Sequence, residues 1–246
     1  RRWDRPGPTP EPAFMVKPTE WIRICKQFRS ADLLDALPLA DVARDPFGEI
    51  LRSGVFGLIK KILPDGSFVV RIIIDRRPQN YWEFVMPGLE LPHSCCFTKL
   101  ILSPGQVIRL SLRDASNYYY LLRVPLARLP YQAVGPAVSK DWWDRGCPTS
   151  WLEQQIFNQK CEQCQPVFTA VCMGDCNGVV VGQAVHRSLL YHAGVLSTSN
   201  EVLLGRPFPK GPTVLGVCID DLAAVQKLTR WQRKQQVVLG DQQAMA

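Results

Sequence analysis

The 246-residue sequence predicts an α+β or α/β protein, on three observations. Short apolar runs rich in β-branched residues recur along the chain, stretches of helical periodicity stand between them, and Pro, Gly and Asp signals punctuate both. Mixed strands and helices of this kind exclude a helical bundle and a β-sandwich. At 46% apolar and 21% charged residues the composition is that of a globular chain, long enough for two lobes with sizeable cores.

Residues 1–18 carry Pro6, Pro8, Pro10, Pro12 and Pro18, a leader expected to be extended or disordered. Residues 20–28 and 30–37 are expected as short helices, the second capped by Ser30 and ended by Pro38. Residues 55–62, the turn signal Pro64-Asp65-Gly66 and residues 67–75 predict a β-hairpin. Residues 91–102 are expected as a helix stopped by Ser103-Pro104-Gly105, and 106–112 as a strand. A helix over 115–122 should begin directly after Asp114.

Four prolines make 124–148 loop-rich, and Ser150-Trp151-Leu152-Glu153 fits a capping box for a helix through about Lys160. Residues 166–173 are strand-like. The run 178–196 predicts a helix with Val181, Val185, Leu189 and His192 on one face. Residues 213–219 form an apolar strand ending at Asp220-Asp221. No internal repeat is present, and Trp142-Trp143 suits a packed loop.

Net charge is +7, which suits a polyanionic partner and equally a merely basic soluble protein. Nine cysteines, an odd count with no secretory h-region, predict reduced thiols and an intracellular chain, in cytoplasm or nucleus. No apolar run approaches the roughly 20 residues of a membrane helix, so no membrane partner is expected. The chain starts at Arg1 and is read as a piece of something longer.

Three places carry candidate chemistry. Asp220 and Asp221 stand at the tip of an apolar strand, where adjacent carboxylates are costly unless a cation or a solvated turn takes them up. Asp114 ends a second apolar strand, as a ligand or as a helix N-cap. In the hairpin, period-two alternation puts Arg71, Ile73, Asp75 and Arg77 on one face. They form an ion-pair ladder, or Arg71 reaches a triphosphate with its fork of donors.

These residues resemble a known family. Arg71, Asp75, Arg77 and Asn80 have the spacing of the fingers motif of reverse transcriptases. Leu112-Arg113-Asp114, with Tyr119 five residues on, is similar to their first palm motif. Cys172-Met173-Gly174 before a helix resembles their Pro-Gln-Gly turn, and Cys218-Ile219-Asp220-Asp221 their Tyr-x-Asp-Asp signature. The order is the family's, over roughly residues 54–235.

The resemblance implies a right-hand polymerase fold with fingers and palm, a small antiparallel palm sheet backed by helices, and no thumb. It divides the chain into a leader with N-terminal helices, 1–50, and a polymerase-like domain, 51–246. Fingers would span about 51–105 and 125–170, and palm about 106–124 and 171–246. It implies RNA-directed DNA synthesis on an RNA or DNA template with primer, from dNTP. Asp114, Asp220 and Asp221 would hold two Mg²⁺ (or Mn²⁺) ions about 3.5–4 Å apart. Lys60 or Lys61 and Arg71 would meet the triphosphate, together with backbone amides around Asn117 and Tyr118. Tyr119 would gate against a 2′-hydroxyl, and Met173 and Gly174 would lie beside the incoming base and sugar. A parent element of retrotransposon type is implied.

The chain departs from the family pattern at Cys218, Met173 and Asp175, and its hairpin is longer. Two other readings stand beside this one. Cys161, Cys164, Cys172 and Cys176 could build a zinc module. An inactive retroelement remnant could bind nucleic acid without catalysis. His186 and His192 fit core or surface histidines better than ligands.

Overall fold

The computed structural model describes residues 7–144 and 162–234. The chain divides into two compact units, Arg1–Val85 with Tyr119–Gly178, and Met86–Tyr118 with Val179–Ala246.

In the first unit, helix α1 (Pro18–Ser30) starts with proline in its first turn beside Glu20 and ends near Arg29, matching the helix dipole at both ends. A left-handed Asp32 then turns the chain into strand β1 (Leu34–Pro38), where a helix was expected over 30–37. All five residues of β1 are buried, and each pairs with strand β6 (Gln163–Phe168), Leu34 opposite Phe168 through Pro38 opposite Cys164. Ladder pairing and burial on both faces outweigh local helix preference. Strand β5 (Val138–Ser139) completes the sheet in the order β1-β6-β5. Trp21, Cys25, Leu34, Ala36, Val55, Ile74, Trp143 and Phe168 make the core.

The expected hairpin is strand β2 (Gly54–Ile62) against strand β3 (Phe68–Asp75), followed by helix α2 (Arg77–Trp82). The proline-rich leader is sewn to it. Met15 N–H donates to Val55 O at 3.0 Å, and Ala13 N–H donates to Asp75 Oδ2 at 2.7 Å. The loop-rich stretch holds a 3₁₀ turn, Leu126–Tyr131, and helix α4 (Lys140–Asp144). Strand β6 starts earlier than the strand expected over 166–173. The helix expected over 150–160 lies outside the described residues.

In the second unit, strands β4 (Gln106–Asp114), β7 (Thr213–Cys218) and β8 (Asp221–Thr229) form an antiparallel sheet in the order β4-β8-β7. Sequence reading did not anticipate β8. Helix α5 (Gly178–His192) covers one face, where Leu190 and Tyr191 meet Val195, Leu215, Val217, Leu222 and Ala224. Its expected apolar stripe is not the buried one. Leu189 is 61% exposed, while Gln183 is 2% exposed, because polar side chains of α5 are consumed by backbone groups of the sheet.

The helix expected over 91–102 is only a 3₁₀ turn, Ser94–Lys99. Its Phe97, with Pro92, presses on β7 at Gly216, where an added Cβ would meet Phe97 at 3.2 Å and Pro92 at 3.5 Å. After Asp114 the expected helix shortens to a single turn, α3 (Tyr118–Leu121), entered through a left-handed Asn117. A short helix, α6 (Arg230–Lys234), follows β8. The chain is thus a mixed α/β protein with small antiparallel sheets.

Candidate catalytic site

The second unit brings its acidic residues together through strand register. Asp114, the last residue of β4, is the partner of Asp221, the first of β8, and Asp221 is also the partner of Cys218 at the end of β7. Directly opposite residues project to the same face, so Asp114, Asp221 and Cys218 share one side of the sheet end. Asp220 lies in the two-residue turn between β7 and β8, and its carbonyl accepts a hydrogen bond from Ala115 N–H at 3.0 Å. The turn is therefore tied to the end of β4. A recess lined by Pro92, His93, Phe97, Leu112, Cys218 and Asp221 opens beside Asp221, and neither Asp114 nor Asp220 lines it.

Among the described residues no side chain pairs with the carboxylates of Asp114, Asp220 or Asp221. Some other acids in the chain have cationic partners. Asp75 has Arg77 at 2.7 Å, Glu201 has Arg187 at 2.6 Å, and Glu90 has Arg206 at 2.6 Å. Clustered carboxylates repel and gain from a shared cation. The Cys218 thiol registers this field: burial raises its pKa first, and the charges of Asp221 and Asp220 raise it further. The donor set is all hard oxygen, the kind Mg²⁺ prefers, with carboxylates free to turn toward an ion. The donor chemistry suits a divalent metal, while the oxygens of the three carboxylates do not all lie within 4.8 Å of one another.

The turn is unusual at Ile219, whose φ is 59°. A β-branched residue there is an outlier costing roughly 1–2 kcal/mol. Two residues of α5 hold it. Gln183 Oε1 accepts Ile219 N–H at 2.7 Å, and His186 Nδ1–H donates to Ile219 O at 2.7 Å. Gln183 Nε2 also donates to Val217 O at 2.8 Å and to Glu90 O at 3.0 Å. Sequence reasoning missed Gln183 and set His186 aside; their i, i+3 spacing on a helix before the aspartate pair is the one signal available. Tyr118 is 7% exposed, with its hydroxyl donating to Gly182 O at 2.8 Å and its ring 5.7 Å from that of His186. It is a packed residue.

In the first unit the hairpin register separates the two lysines. Leu58 pairs with Arg71 and Ile59 with Val70, but Lys61 pairs with Val69, because the register shifts between Ile59 and Lys61. Residues 69 and 71 share a face, so Lys61 lies on the face of Arg71 and Lys60 is the extra residue of the irregularity. Half of the expected ladder forms: Asp75 pairs with Arg77 at the start of α2 and accepts from the leader, and Arg71 is not part of it. Arg71 stays exposed.

Met173 is 40% exposed, and Gly174 has φ 96°. Asn80 pins this turn, donating from Nδ2 to Gly174 O at 2.7 Å and accepting Cys176 N–H at 3.0 Å. Asp175 has a structural role: it pairs with Arg128 at 2.6 Å and Arg76 at 3.4 Å, and both arginines also pair with Glu83. Burial alone would raise the pKa of Asp175; Arg76 and Arg128, together with the Asn177 N–H, reverse that and leave it lowered. Tyr119 is half-buried, its ring 3.4 Å from where a Cβ on Gly178 would sit.

The zinc reading finds little support in these positions. Cys164 is buried beside Val138 O, Cys172 lies against Gln132, and Cys161 is outside the described residues. The group with metal-ligand spacing among the described residues is Glu83, Asp175 and Cys176. Arg76 and Arg128 already neutralise its carboxylates. Burial, then the charges of Glu83 and Asp175, raise the Cys176 pKa and keep it a thiol.

No protein-family model and no curated protein sequence matches this chain. Among solved structures it is similar to a foamy viral protease-reverse transcriptase in complex with double-stranded DNA, with a TM-score of 0.50 and 13% identity. The likeness covers 94% of this chain and 30% of that one, so this chain spans under a third of its neighbour's length. At that identity the likeness is one of fold: a mixed α/β chain with a polymerase-like arrangement of elements.

Proposed function

We propose that this chain is the fingers and palm core of a reverse transcriptase from a retrotransposon-like element, adding dNTP to a primer 3′-hydroxyl on an RNA template. One observation carries the reading. Asp114 faces Asp221 across a strand pair, with Asp220 in the adjoining turn, and no cationic side chain among the described residues neutralises them. The family motifs in their order and the fold likeness support it.

Asp114 and Asp220 would be the principal ligands of two Mg²⁺ ions, with Asp221 on the primer side. Ions held there would supply a lowered pKa for the attacking hydroxyl and neutralisation of charge on the leaving pyrophosphate. Lys61 and Arg71 present cationic donors on one hairpin face, suited to triphosphate oxygens, and Lys60 is set apart by the irregularity. Tyr119 would exclude a 2′-hydroxyl, giving a preference for deoxynucleotides. Template and primer would be gripped mainly through phosphates and the minor groove of an A-like duplex.

Primer extension on an RNA template by the full-length protein, wild type against Asp220→Asn, tests the proposal. Extension by wild type alone is expected. Equal incorporation by both overturns it, and duplex binding with no extension by wild type favours an inactive nucleic-acid-binding remnant.

A further inference from the structure

We propose that Gln183 and His186 are positioning residues for the carboxylate cluster, acting together through the backbone of Ile219. The inference rests on the metal-site reading above. It goes beyond that reading by assigning the cluster's geometry to two side chains that touch neither metal nor substrate.

The reasoning starts from conformational cost. Ile219 sits at φ 59°, which a β-branched side chain resists, so the turn left to itself relaxes toward ordinary backbone. Relaxation there swings Asp220 and Asp221, the next two residues, away from Asp114. Both backbone polar groups of Ile219 are held by α5, N–H by Gln183 Oε1 and C=O by His186 Nδ1–H, each at 2.7 Å. A carbonyl only accepts, so the His186 proton sits on Nδ1. Gln183 is itself fixed, since its amide nitrogen donates to Val217 O and Glu90 O. His186 is backed by the Tyr118 ring, and the Tyr118 hydroxyl is bonded to Gly182 O on the same helix. Tyr118 follows Asp114 by four residues, so one helix reads both acidic segments. Supporting groups of this sort tune metal sites as strongly as many ligands do.

The test measures Mn²⁺ binding by electron paramagnetic resonance on the whole chain, with thermal melting and amide exchange at Ile219 alongside. His186→Phe and Gln183→Ala should melt as folded proteins, lose Ile219 amide protection, and bind Mn²⁺ about 10- to 100-fold more weakly. His186→Asn carries an N–H where Nδ1–H stood and should restore binding. Glycine adopts φ > 0 without strain, so in an Ile219→Gly background the loss from His186→Phe should shrink to a few-fold.

Parent-like Mn²⁺ binding in His186→Phe overturns the proposal, as does an undiminished loss in the Ile219→Gly background. Should Gln183→Ala fail to fold, the His186 series decides alone. If Asp220→Asn binds Mn²⁺ like the parent, the metal reading fails, and the clamp then stands or falls on Ile219 amide protection.

Discussion

Asp114 and Asp221 are opposed residues on neighbouring antiparallel strands, two like charges at the same point of one sheet face. Such a pair destabilises the strand ends unless a cation lies between them. In chelator, Asp221→Asn should therefore raise the melting temperature by about 1–3 °C. In excess Mg²⁺ the order should reverse, because only the parent gains stability from binding. Scanning calorimetry with and without Mg²⁺ checks both signs.

The hairpin register separates Lys61 from Lys60. With a primed RNA template, Lys61→Ala and Arg71→Ala should each weaken dNTP use by about tenfold, chiefly in KM, while Lys60→Ala stays within about threefold. Steady-state single-nucleotide incorporation reads this. Equal defects at both lysines would contradict the facing drawn from the register.

Arg76 is fully buried and serves Glu83, Asp175 and Gln132. Arg76→Leu strands buried carboxylates and should cost about 3–5 kcal/mol in urea unfolding. The same network sets an acid limit. Asp175 has its folded pKa pulled below the ordinary carboxylate value despite burial, by Arg76 and then Arg128. Its contribution is fully present above the unfolded pKa, about 4, and is lost as pH falls through the lower folded value. Denaturation midpoints between pH 5 and pH 2 should drop more steeply for the parent than for Asp175→Asn.

The leader passes so close to Gly54 that an added Cβ would lie 2.0 Å from Ala13 O. Gly54→Ala must displace that backbone, breaking the bonds at Met15 and Ala13. Limited proteolysis should then cut within residues 8–16 many-fold faster, whereas Gly66→Ala at the open hairpin tip should leave the leader protected.

Helix α1, the β2–β3 hairpin, β4 and β7 were legible because each has its own periodicity and its own stop signal. Strand β1 was not: residues 30–37 hold a helix cap and a proline stop, and only pairing with β6, more than a hundred residues on, makes them a strand. Strand β8 was hidden because the turn before it uses Ile219 in a conformation for which glycine or asparagine is the usual sign. The buried face of α5 was misread because Gln183 and His186 bond to the sheet's backbone, which hydrophobic periodicity does not register.

By itself the sequence determined which chemical groups exist and where the local breaks fall. Carboxylates end two apolar strands, and lysines and arginine line one hairpin, since strand tendency and turn chemistry act over a few residues. Tertiary structure alone decided that position 114 faces position 221, that Lys61 rather than Lys60 shares the face of Arg71, and that α5 clamps Ile219. Those outcomes depend on register and on hydrogen bonds between groups far apart along the chain, and no local preference encodes them.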